Sequence, residues 1–298
     1  MKINKKFKKL SAFQIFLVVL LFLLTLTMII PLLNILAISL SDPTMSTKMS
    51  GLDIIPKKLN FINYKVVLSL PVLVKALFNS IFITVVGTFI NILLTTTAAY
   101  VLTRPGLLFK KVMMVFLIFM MLFDPGLVPE YLMIKSIGLM GSQWSVILVT
   151  SVNVYYLVIM MRYFDEVPQE LFEAAQIDGC GHIGILFKIV FPLSKAGIAT
   201  ITMFYAVLRW NEYFKASIYL SSASKTTLQV ILRQFIVLND TVAIVGAQNM
   251  LNYNELAKLD FNALKYATII VAVIPILILY PIVLKYYTKD IMAGGVKE

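Results

Sequence analysis

Acidic side chains are scarce in this chain, so the place where they crowd together invites a chemical reading. Of 298 residues, 15 are Asp or Glu. Glu170, Glu173 and Asp178 share one polar stretch, VPQELFEAAQIDGCGHIGILFKIVFP (residues 167–192), with Asp165 and Glu166 just ahead of it. Carboxylates can bind a metal or move protons, but both tasks need company. A single cysteine, Cys180, excludes an intramolecular disulfide and any multi-cysteine metal site, and the lone His182 reads as a solvated loop residue. The phosphate-binding pattern G-x-x-x-x-G-K-[ST] occurs nowhere, so the chain cannot cradle ATP phosphates itself. No catalytic or metal-binding set emerges. What remains is contact: carboxylates make charge-assisted hydrogen bonds, roughly twice as strong as neutral ones.

The local pattern predicts how that stretch presents itself. Pro168 suits the first turn of a helix, where its missing N–H costs nothing. Asp165, Glu166 and Glu170 lie at the end where the helix dipole favours negative charge. Leu171, Ala174, Ala175 and Asp178 recur at spacings of three and four, on one side of a helix. Gly179 and Gly181 then flank Cys180, as glycine does past a helix end. Ile185, Leu186, Ile189 and Val190 make a second apolar-periodic run, closed by Pro192. A short helix, a sharp turn and a second short helix would suit a partner's groove, with alanines permitting close approach. The competing reading is an amphipathic helix on the membrane surface. Such helices are usually Lys/Arg-rich on the polar face, whereas this one is acidic until Lys188.

A second constellation sits inside apolar sequence. Asp124, Arg209, Asn211 and Glu212 are polar groups of a kind that is costly in lipid and usually faces a cavity or a partner. Arg209 and Glu212, three apart, are spaced to pair on a helix. Tyr155, Tyr156, Trp210 and Tyr213 could offer flat faces and polar tips to a bound ligand, or else form an interfacial aromatic belt.

The elements that position these groups follow from composition. The chain is 60% hydrophobic and 14% charged, with mean hydropathy +0.89; a globular domain carries about a quarter charged residues, so the bilayer is its natural solvent. Residues 13–38, 77–102, 112–128, 143–161, 197–220 and 266–284 read as six spanning helices, since backbone in lipid must satisfy itself. Residues 13–38 are too long an apolar run for a cleaved signal peptide, whose core is usually about 7–15 residues. The net charge of +11 does not signal nucleic acid. Lys2, Lys5, Lys6, Lys8, Lys9, Arg104, Lys110, Lys111, Arg162, Lys285 and Lys289 cluster beside the apolar runs, which places both termini and the 167–192 stretch in the cytoplasm. Residues 41–75 and 221–265 then lie outside.

The 167–192 stretch resembles the EAA loop of binding-protein-dependent ABC importer permeases. Its Glu173, Ala174, Ala175, Asp178, Gly179, Ile189 and Pro192 stand at the motif positions; Phe191 replaces the usual Leu, Cys180 a small Ala, and Ala196 a frequent Pro. YAVLRWNEYFKASIYL is similar to the fifth-span signature of carbohydrate permeases related to the maltose system. LQVILRQFI and KYYTKDIMAGGVKE resemble the branch often called LplC- or YtcP-like. The resemblance implies an all-α type I importer permease fold. A basic head, first helix and first outer loop would occupy residues 1–76, a permease core 77–287, and a cytoplasmic tail 288–298. It also implies a second homologous permease as heterodimer partner and a cytoplasmic ATPase dimer that binds ATP and Mg and grips the EAA loop. An extracellular solute-binding protein would deliver oligosaccharide at the plasma membrane of a bacterium. Ion-coupled secondary transport is the rival, but intramembrane carboxylates are few and no repeated halves are evident. A membrane anchor subunit is a further rival. A membrane enzyme would need a His, Asp/Glu or Cys cluster with ligand spacing.

Overall fold

The computed structural model describes residues 11–239 and 260–294. The basic head with Lys2, Lys5, Lys6, Lys8 and Lys9, part of the second polar excursion (residues 240–259) and the last four tail residues lie outside the described residues. Among those described, the chain is helical, with one isolated antiparallel bridge, Ser41–Leu59. The described residues divide into two compact units, 11–70 with 260–271, and 71–239 with 272–294.

In the first unit, α1 (Ala12–Ser39) begins with a reciprocal capping box between Ser11 and Gln14, which satisfies two amides a helix start leaves unpaired. Its first turns expose Phe13, Phe16, Leu20 and Phe22, as a lipid-facing helix must. Short helices α2 (Pro43–Ser46) and α3 (Ile62–Ser69) follow. The loop between them folds back because buried amides need partners. Asn34 Nδ2 donates to the carbonyls of Ser50 and Asp53, both at 2.8 Å, and Asn63 Nδ2 to those of Ser39 and Ser41.

The second unit is organised around α4 (Pro71–Thr103), a 33-residue helix. Around it run α5 (Lys110–Leu122), α6 (Leu127–Ser136), α7 (Gln143–Val149), α8 (Val154–Asp165), α9 (Gln169–Ile177), α10 (His182–Leu193), α11 (Lys195–Trp210), α12 (Phe214–Tyr219) and α13 (Leu228–Val237). α14 (Phe261–Gly294) supplies residues to both units. Helices α7, α8, α11 and α13 pack on α4. Small and hydroxyl-bearing residues line its buried side: Ser80, Thr84, Gly87, Thr88, Thr95 and Ala99. Such residues let helix backbones approach closely where no hydrophobic force distinguishes neighbour from lipid.

Among the described residues, three helices, α1, α4 and residues 261–278 of α14, are long and apolar enough to cross a membrane; counting each of three bent helix pairs as one span gives up to six. The bends fall within the third and fourth spans expected from the sequence. α5 and α6 meet at 113° around Asp124-Pro125-Gly126, where Asp124 Oδ1 accepts from the Gly126 amide and so stabilises a turn. α7 and α8 meet at 52°, because Asn153 starts a new helix by accepting from the Tyr156 amide.

α11 lies so close to α8 that Gly197 has no room for a side chain: a Cβ there would sit 2.3 Å from the Tyr163 ring. Overpacking at such a site costs about 1–3 kcal/mol. Gly197→Ala should therefore lower the melting temperature of the detergent-solubilised chain measurably. An unchanged melting curve would contradict this packing.

Candidate functional site

The 167–192 stretch is built from its ends inward. α9 starts after Pro168 with Glu170 in its first turn. It ends in a Schellman motif: the Cys180 amide donates to Ala175 O (2.8 Å) and the Gly179 amide to Gln176 O (3.0 Å). That pattern needs a left-handed residue after the helix, and Gly179 has φ +78°. α10 leaves at once in a new direction. Pro192 has no N–H for the carbonyl four residues back, and the turn before it widens into a π-helical one over Leu186–Val190.

The two faces of this helical pair differ. Phe172, Ala175, Ile185, Leu186 and Val190 are buried in one core with Ala99 and Tyr100 of α4, Met160 and Phe164 of α8 and Ile201 of α11. Glu170, Glu173, Ala174, Asp178 and Pro192 are exposed, as are Ile177 (86%) and Ile183 (76%). The two alanines thus separate: Ala174 is open to a partner, while Ala175 serves the chain's own core and Ile189 is half-buried. His182 is exposed as expected of a solvated residue, yet its Nδ1 lies 3.2 Å from the Tyr100 hydroxyl.

The intramembrane constellation assembles around Arg209, which is 2% exposed. The last carbonyls of a helix have no partner within it. Arg209 Nη1 donates to Val146 O (2.6 Å), and Nη2 to Ile147 O (2.6 Å), Thr150 O (3.0 Å) and Asn91 Oδ1 (2.8 Å). Asn91 Nδ2 also donates to Thr150 O. The arginine therefore closes the C-terminal end of α7. Room for it comes from Gly87, where a Cβ would lie 3.0 Å from Arg209 Nε.

The Arg209–Glu212 ion pair expected from spacing is not made. α11 ends at Trp210, so Glu212 lies past the helix and accepts from the Lys215 amide at the start of α12. Trp210 is buried and donates from Nε1 to Ala272 O. Tyr156 packs edge-on to Tyr205 (4.9 Å between centroids). Asp124, Tyr155, Asn211 and Tyr213 are exposed, and the Arg233 guanidinium lies 5.3 Å from the Tyr213 ring centroid.

Two groups escaped the sequence reading. Glu130 takes the Lys215 ammonium (2.8 Å) and the Tyr219 hydroxyl, tying α6 to α12. It lies in the apolar run LVPEYLMI, so the rule that selected Asp124 could have found it. Tyr205, fully buried, shares a hydroxyl hydrogen bond with Thr95 and accepts from the Asn153 amide; nothing in its spacing distinguishes it from other aromatics.

Removing Arg209 would strand buried carbonyls, at about 1–3 kcal/mol each. Arg209→Met should cut the amount of folded chain in the membrane several-fold. Arg209→Lys should not restore it, because one ammonium cannot reproduce a planar fork. Wild-type amounts of Arg209→Lys, measured by immunoblot with melting of the solubilised chain, would show that charge alone suffices.

Residues 64–292 match the family described as "Binding-protein-dependent transport system inner membrane component". The chain is 38% identical over 245 residues to the polygalacturonan/rhamnogalacturonan transport system permease protein YtcP of Bacillus subtilis, covering 82% of this chain and 84% of that one. It is 40% identical over 244 residues to Protein LplC of the same organism, covering 82% and 81%. A chain in the crystal structure of a bacterial ABC transporter that imports the acidic polysaccharide alginate superposes with TM-score 0.86 at 29% identity, over 94% of this chain and 99% of that one. With the family pattern over most of its length and these sugar-transport relatives, the chain belongs to the binding-protein-dependent ABC transporter permeases for sugars, in the LplC/YtcP-like branch.

Proposed function

We propose that the chain is one half of a translocation path that carries oligosaccharide into the cell. A homologous permease supplies the other half, and ATP and Mg are bound by a cytoplasmic ATPase dimer. An extracellular solute-binding protein presents the sugar. The observation that carries this reading is the two-faced helical pair: its inner face is locked into the permease core while Glu173, Ala174, Ile177 and Asp178 stand exposed on the outer one. Gly179 sets the angle between the arms, and Ala175, Ile189 and Pro192 hold the pair in place. Both termini are cytoplasmic, the membrane is crossed six times, and the membrane is the plasma membrane of a bacterium.

The path is lined by groups displayed at the helix breaks: Asp124, Tyr155, Tyr156, Asn211, Glu212 and Tyr213, with Arg209 and Trp210 holding the backbone beneath them. YtcP is named for polygalacturonan/rhamnogalacturonan and the alginate transporter for an acidic polysaccharide. Arg233, which makes no ion pair among the described residues, gives the path near Tyr213 a cation suited to such sugars. Deleting the gene should therefore reduce uptake of labelled acidic oligosaccharides while leaving amino acid and metal-ion uptake unchanged. Unaltered glycan uptake in a strain without a redundant importer would contradict the substrate class.

The joint and the orientation have separate tests. Gly179→Val forces a β-branched residue into the left-handed region, and Glu173→Lys reverses charge on the exposed face. Both should leave the chain inserted but reduce co-purification of the ATPase at matched membrane levels; wild-type recovery in both returns the segment to a surface helix. In a Cys180→Ser background, a cysteine within residues 41–75 should react with an impermeant thiol reagent from outside, and one at Gln169 should not. The reverse labelling pattern would end the six-span arrangement.

A further inference from the structure

The last residues of α4 and the residue after it grip both arms of the 167–192 segment. Arg104 follows the last residue of α4. Its guanidinium carbon lies 3.6 Å from the ring centroid of Phe172 in α9 and 4.8 Å from that of Tyr100, one turn back on α4. Arg104 Nε donates to Tyr100 O (3.3 Å) and Nη2 to Thr103 Oγ1 (3.2 Å), so the fork is aimed by the helix end itself. Tyr100, through its hydroxyl, meets His182 at the start of α10 (3.2 Å). Phe172 and Tyr100 are both buried, and Arg104 makes no ion pair among the described residues. A guanidinium held between two aromatic faces is attracted to both rings, and the Asp165 carboxylate adds a longer-range favourable charge.

The position of this contact matters. Phe172 precedes Glu173, which points away on the exposed face of the same helix. Further up, α4 holds Arg209 through Asn91 and Gly87, and Arg209 holds the break between α7 and α8. α4 is unbroken between these two contacts.

We propose that Arg104 is the positioning residue that makes α9 and α4 move as one body, so that displacement of the docking face is delivered to the helix breaks of the path. The proposal rests on the reading that the ATPase docks on α9 and α10. A Met at this position keeps an apolar side chain but lacks the stacked cation; Phe172→Leu removes the ring from the other side, and Phe172→Trp keeps a ring.

Spin labels at Gln169→Cys on α9 and Val85→Cys on α4, in a Cys180→Ser background, measure the separation of the two helices by pulsed electron resonance. The sample is the full complex with its partner permease and ATPase, with and without ATP–Mg trapped by vanadate. With Arg104 present, the distance distribution should stay narrow and unshifted when nucleotide is trapped. In Arg104→Met and in Phe172→Leu, trapping should shift or broaden it by about 2 Å or more, the scale of helix shifts at interfaces. Phe172→Trp should behave as wild type. An unchanged, narrow distance in both Arg104→Met and Phe172→Leu, with the ATPase still co-purifying, overturns this proposal alone. So does a nucleotide-driven change in the wild type. Undiminished ATPase recovery in Glu173→Lys and Gly179→Val overturns the docking reading and this proposal together.

Discussion

A helix that breaks inside a lipid-facing protein frees carbonyls that no water can reach, and each needs a partner from elsewhere in the chain. The end of α7 is such a place, and the Arg209 fork answers it by reaching the carbonyls of Val146, Ile147 and Thr150 together with Asn91. An arginine suits this because its donors lie in one plane at fixed angles. Its hydrogen bonds all go to carbonyl and amide oxygens. This one side chain, near the end of α11, thus joins the end of α7 to Asn91 and the notch at Gly87 in α4.

α4 is the common support for the second unit. Near its start, Asn79 holds the carbonyls of Ser224 and Thr226 and accepts from Gln143, while Ser80 accepts from the Leu228 amide. At its middle, Gly87 and Asn91 accommodate Arg209; beyond them Thr95 meets Tyr205. At its end, Tyr100 and Arg104 meet the helical pair. One side of a single helix thus carries glycine, serine, threonine and asparagine where a soluble core would carry leucine. In lipid, close approach and hydrogen bonds distinguish a protein neighbour from a hydrocarbon one.

The polar 167–192 segment can sit among apolar spans because its two faces have different surroundings. Phe172, Ala175, Leu186 and Val190 complete a core formed by α4, α8 and α11. The opposite face displays carboxylates and two isoleucines, Ile177 and Ile183, that the chain itself leaves uncovered. Exposed apolar residues ringed by charge are what a protein partner would cover. The occupant proposed for that face is the cytoplasmic ATPase.

The sequence by itself determined the helical class, the membrane as solvent and the helix–turn–helix of the polar segment, because each depends on local composition, periodicity or one glycine. Pro168, Gly179 and Pro192 act through their own backbone geometry, so their roles are legible without neighbours. Tertiary structure alone decided where the polar side chains went. Arg209 and Glu212 have the spacing of a pair, but α11 stops between them and the arginine turns to another helix. Ala174 and Ala175 are adjacent and identical, yet one is open and one is buried, because α9 rests on α4 through Phe172. Glu130 meets Lys215 and Tyr219 across 85 and 89 positions of sequence. Such pairings depend on the rotation and bending of whole helices against one another, which many distant contacts set together and no local pattern records.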